Sequence, residues 1–176
     1  MPTPIGHALG GLAAGVLLAG RSEPLVSTGH RSRSFLWLWA LCGVLPDIDF
    51  LFGGHRGLTH TIGAMCAVGC GTAVIARRQP SLWFAAAAAY GTHLLLDWLG
   101  GDGTAPLGIM TLWPFTDTFY LSPYTVFPAI CRQYWSAECQ VDLVQAVTRE
   151  ALVLGPIAAF AVWFRCGIRR FARRVK

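Results

Sequence analysis

The stretch LWFAAAAAYGTHLLLDWL, residues 82–99, is predominantly apolar and carries one histidine, His93, and one acid, Asp97. It contains no Lys or Arg, and its length approaches the roughly 20 helical residues that cross a hydrocarbon core. The two ionisable residues are four apart, so on a helix both project from one face and can grip one ion. Imidazole with carboxylate suits a borderline cation such as zinc. An ionisable pair at membrane depth is costly unless it is compensated, so it marks a functional position.

Four more apolar runs surround this one. They cover Ile5–Ala19, Phe35–Leu45 (stopped by Pro46), Ile62–Ala76 and Ala151–Phe164. Across the 176 residues 54% are hydrophobic and 13% charged, about half the charge of an ordinary soluble domain, and the mean hydropathy is +0.49. The apolar residues come in blocks, not at strand or surface-helix periods, which makes the membrane the natural solvent. These features predict an all-α, polytopic membrane bundle of about five apolar helices. Several runs fall short of a full crossing, but Gly and Ala in the first, third and fourth allow close helix packing. The length predicts one membrane-embedded domain over 1–176. Its parts are four apolar segments (1–100), an outer aromatic connection (101–150), and a last helix with a basic tail (151–176).

The connection is rich in Trp, Tyr, Phe and Pro, which suits the headgroup zone, and its residues 138–150 read as a short amphipathic helix leading into the last apolar run. The first twenty residues lack a basic leading region, so they are expected to be mature structure. Of the six cysteines, Cys42, Cys66 and Cys70 lie in apolar runs and read as small packing residues. Cys131 and Cys139 lie together in the connection, and an oxidising outer compartment predicts a disulfide between them.

Lys and Arg set the expected orientation. Threading five spans puts Arg21, Arg31, Arg33, Arg77, Arg78 and the six basic residues of the tail on one side, against Arg56, Arg132 and Arg149 on the other. The positive-inside rule then places the amino terminus outside and the carboxyl terminus in the cytoplasm. The same threading gathers His7, Asp47, Asp49, His55, His60, His93, Asp97 and Asp102 at the outer face. Each residue alone has a plain reading: an interfacial His7, a turn at Asp47, a solvated Asp49, a snorkelling Arg56. Their joint placement favours a metal site.

The motifs Pro4-Ile5-Gly6-His7, Leu45-Pro46-Asp47-Ile48-Asp49, His55-Arg56-Gly57-Leu58-Thr59-His60-Thr61, His93-Leu94-Leu95-Leu96-Asp97 and Leu112-Trp113-Pro114-Phe115-Thr116 occur in that order. Over roughly residues 1–120 the chain resembles the YdjM-like (DUF457) family of bacterial inner-membrane proteins regarded as metal-dependent hydrolases. That family is considered distantly similar to zinc-dependent phospholipases C and single-strand nucleases. The resemblance implies that Asp47, His60, His93 and Asp97 hold a first zinc, and that Asp97 bridges to a second ion bound by His7. It implies one or two ions; no counterpart of a further His-pair-and-Glu site is found.

The expected function is a metal-dependent hydrolase acting on a phosphoester, such as a lipid headgroup, at the outer face of the inner membrane. Asp49 is the expected general base, Arg56 a bidentate phosphate clamp and Thr59 a hydrogen-bond donor, with His55 and Asp102 as secondary metal candidates. Membrane lipids are the expected partners, and no nucleic acid is. The alternatives are a non-catalytic module stapled by a structural metal and, ranked last, an ion transporter, whose site would lie nearer the bilayer midplane.

Overall fold

A computed structural model describes residues 1–20, 30–52, 56–131 and 136–174. Among these residues the protein is helical, with no strand: α1 (Pro4–Leu18), α2 (His30–Val44), α3 (Ile62–Ile75), α4 (Pro80–Trp98) and α5 (Ala137–Arg174). Two 3₁₀ segments, Leu45–Phe52 and Leu58–His60, link α2 to α3. α1 and α4 each open on proline, which lacks the N–H that a first turn leaves unpaired anyway. α3 is capped by Thr61, whose hydroxyl accepts from the Ala64 N–H at 3.0 Å.

α1 is the central helix, packed against α2, α4 and α5. Its small residues permit this. A Cβ on Gly11 would lie 2.6 Å from the Gly43 Cα, so the α1 and α2 backbones touch where both helices carry glycine. The core beside this crossing is built of Ala13, Val16, Ala19, Trp39, Ala85, Ala86, Ala89, Ala158 and Ala161. Alanines on α1, α4 and α5 let these helices meet at short range around Trp39 of α2.

The helices follow the apolar runs closely. Residues 138–150 are helical and run without a break into the last apolar run as the first turns of α5. Within α5, Ala137–Gly167 is long and apolar enough to cross a membrane; it is the one such helix among the described residues. α1 and α3 are apolar but have 15 and 14 residues, a length of about 22 Å at 1.5 Å per residue. Cys42 is half-buried, whereas Cys66 and Cys70 face outward on α3 and do not pack inside.

The connection between α4 and α5 has no regular structure over most of its length and is held by isolated backbone pairs. Ile109 and Tyr120 exchange hydrogen bonds at 3.0 and 2.9 Å, and the Gly101 N–H donates to the Phe127 carbonyl at 2.7 Å. The Ile62 N–H donates to the Thr111 carbonyl at 2.9 Å, which ties the connection to the start of α3. Phe127 is buried, while Phe115 and Tyr124 are largely exposed. Cys131 and Cys139 form the expected disulfide, with Cα atoms 5.2 Å apart, fastening the connection to the first turn of α5.

Candidate metal centre

Four elements bring the polar cluster together. α1 supplies His7, the first 3₁₀ segment Asp47 and Asp49, the second His60, and α4 the pair His93 and Asp97. Asp97 is the hub, with only 1% of its surface exposed. Its Oδ1 lies 3.3 Å from His7 Nε2, and its Oδ2 lies 3.3 Å from His93 Nε2 and 3.4 Å from His60 Nε2. Asp47 Oδ1 faces the same two imidazoles, 3.6 Å from His93 Nε2 and 3.9 Å from His60 Nε2. The His7 and His93 rings stack with centroids 3.6 Å apart.

The outer nitrogens decide what the inner ones present. His93 Nδ1 lies 2.8 Å from the Gly43 carbonyl, which can only accept, so Nδ1 carries the hydrogen and Nε2 turns a lone pair inward. His60 Nδ1 lies 3.2 Å from Asp49 Oδ2, which acts on it in the same way. The two Nε2 atoms are 3.1 Å apart and point at a carboxylate. Neither oxygen of Asp97 has a hydrogen-bond partner, although both are buried. Lone pairs facing lone pairs at such range need a positive charge between them. Two overlapping groups, His7–His93–Asp97 and Asp47–His60–His93, each place three donor atoms within 4.8 Å of one another. Three imidazoles and two carboxylates fit a zinc-like cation, and the split use of the Asp97 oxygens fits a bridging ligand.

A proton can play the same part. Burial lowers the pKa of His60, but the facing carboxylates of Asp49 and Asp97 outweigh it and push the value up to about 9. Burial raises the Asp47 carboxyl above its ordinary value.

A cavity of about 280 Å³ opens beside the cluster, bordered by His7, Asp47, Asp97, Phe50, Arg56 and Asp102. Three expected roles change here. Asp49 is not aimed into this space: it accepts from the Arg56 N–H at 3.0 Å and the Thr59 hydroxyl at 2.9 Å, and it orients His60. Thr59 therefore gives its proton to Asp49, with no hydroxyl left for a substrate. Arg56, 4% exposed, is no open clamp, because its two terminal nitrogens grip Asp102 (Nη2 to Oδ1 at 2.7 Å). Nη1 also donates to the carbonyls of Thr104 and Pro106, leaving Nε without a partner. Asp102 accepts in addition from the N–H groups of Thr104 and Gly108, so it braces Arg56. His55 lies outside the described residues.

Sequence reasoning missed two contributors. Gly43 supplies the carbonyl that orients His93, and only its lack of a side chain lets it lie against the His7 carbonyl. Glu150, fully buried, reaches the first turn of α1. A lone acid directly before the apolar run at 151 was its one sequence signal.

None of the curated proteins and none of the solved structures matches the chain. A family model, YdjM inner membrane protein, matches residues 1–172, well past the region that carries the motifs. The chain belongs to the YdjM inner membrane protein family.

Proposed function

We propose that this protein is a multi-pass membrane hydrolase with a divalent-metal centre, acting on a phosphoester such as a lipid headgroup. One observation carries the reading: a buried carboxylate, Asp97, faces three imidazoles with both oxygens unpaired, at the edge of a cavity of about 280 Å³. A structural metal would be closed off by protein ligands, whereas a catalytic one keeps an approach for substrate. The cavity favours the second, and the position of the cluster at helix ends disfavours transport. Large apolar side chains turned outward on α2 (Trp37, Leu41), α4 (Phe84) and α5 (Leu152, Trp163) suit contact with lipid. The basic-residue bias then puts the cluster and residues 99–136 at the outer leaflet and the tail in the cytoplasm.

In this reading His60, His93, Asp47 and Asp97 hold one zinc ion, and Asp97 with His7 holds a second. A bound cation supplies Lewis-acid chemistry, activating water and polarising a phosphoryl oxygen. The chain does the rest. Asp49 and the Gly43 carbonyl fix the imidazole orientations. Asp47 borders both the imidazoles and the cavity. Arg56 also borders the cavity, and its Nε is buried without a hydrogen-bond partner.

Elemental analysis of purified protein tests the metal. Zinc is expected in wild type and is lost in Asp97→Asn and in His93→Ala. A screen of phosphodiesters and phospholipid headgroups should then find chelator-sensitive hydrolysis. Metal-free wild type, unaffected by chelators, would falsify the proposal.

A further inference from the structure

His7 differs from its two partner histidines in how it is held. Gly43 orients His93 and Asp49 orients His60, but His7 Nδ1 is buried with no hydrogen-bond partner. No hydrogen bond at the outer nitrogen sets its ring, so its Nε2 position depends on where α1 itself sits.

α5 grips α1 at both ends. Glu150 Oε1 accepts from the Thr3 N–H at 2.7 Å, and Oε2 accepts from the Gly6 N–H at 3.0 Å and from the Thr3 hydroxyl. These are the amides that a helix start leaves unpaired, and Thr3, at the N-cap, makes no cap of its own. The carboxylate also complements the positive end of the helix dipole. Contact is close: a Cβ on Gly6 would lie 2.7 Å from Glu150 Oε2. Further along α5, the buried Arg165 donates from Nη2 to the Gly20 carbonyl just past the end of α1, where a cation suits the dipole. Between these anchors Ala158 and Ala161 pack in the core with Ala13, Val16 and Ala19. The rise from residue 150 to residue 165, about 22 Å, matches the length of α1 that it spans.

We propose that Glu150 and Arg165 are positioning residues that fix the axial setting of α1, and through it the approach of His7 Nε2 to Asp97 and His93. This rests on the reading of the cluster as a metal centre.

The test titrates full-length protein in detergent with Co²⁺, reading the visible absorption spectrum and the number of ions bound. Glu150→Gln keeps the volume but turns an NH2 group toward at least one of the three donors. It should weaken Co²⁺ binding on the order of 10–100-fold, as loss of supporting groups around metal ligands does. In a His7→Ala background the same change should have less than about a twofold effect, because the effect acts through His7. Arg165→Met should act in the same direction from the other end. If Glu150→Gln does not fold, Thr3→Val removes one of the three hydrogen bonds and should give a smaller loss with the same dependence on His7. Equal weakening in both backgrounds, or none in the first, overturns the proposal while leaving the metal centre standing. Wild type that takes up no Co²⁺ removes the metal centre itself, and this inference with it.

Discussion

Gly43→Ala is the sharpest test of how the centre is assembled. The added Cβ would lie 2.3 Å from the His7 carbonyl oxygen and 2.9 Å from the Gly11 Cα. Carbon atoms pack comfortably at about 3.5–4.0 Å, so α1 and α2 must part by about 1 Å. Every atom in the way is backbone, so no side-chain rotation can relieve the clash. Overpacking of this kind costs about 1–3 kcal/mol, which for a chain of this size lowers the melting temperature by roughly 2–10 °C. Stability is only half of the expectation. The same residue holds His93 through its carbonyl and touches the backbone of His7, so two donor sets shift relative to Asp97. Metal affinity should fall on the order of 10–100-fold. Thermal unfolding with and without zinc, beside a competitive metal titration, reads both effects. A variant that melts lower yet binds zinc as tightly as wild type would refute the idea that the α1–α2 crossing sets the centre.

Three further outcomes are expected. Arg56→Ala should destabilise the fold by about 3–5 kcal/mol by leaving Asp102 charged and buried, and Arg56→Ala with Asp102→Ala should recover part of it; chemical denaturation of all four species reads the coupling. Zinc must displace the proton that His60 holds up to about pH 9, so apparent affinity should rise about tenfold per pH unit below that value and level off above it. Calorimetry in two buffers of different ionisation enthalpy should find close to one proton released, and a pH-independent affinity would contradict the arrangement around His60. Finally, mass spectrometry of alkylated, unreduced protein should leave Cys131 and Cys139 unlabelled. Reduction should lower stability by about 2–3 kcal/mol, since the bridge closes a short loop.

Local properties of the chain were legible in its sequence. Hydropathy blocks marked α1 to α4 within a few residues, because burial in an apolar solvent acts on each segment by itself. The four-residue spacing of His93 and Asp97 placed both on one helix face for the same reason. Grouping His7, Asp47 and His60 with them needed only the side on which each segment ends, which basic residues and threading supply. Directions were another matter. Whether Asp49 points to substrate or to the outer nitrogen of His60 depends on a 3₁₀ turn that hydropathy does not encode. Arg56 and Asp102 are 46 residues apart, and nothing in either neighbourhood foretells their pairing. Glu150 reaches Thr3 and Gly6 across more than 140 residues. Such contacts follow from the packing of α1 between α2, α4 and α5, which rests on alanines and glycines whose small size is visible in sequence but whose partners are not. The sequence by itself determined the helices, the ionisable residues and the end of the bundle where they gather. Only the tertiary structure decided which of them face one another, which brace and which merely pair, because a side chain's role depends on what stands opposite it, and the chain places those neighbours only by folding.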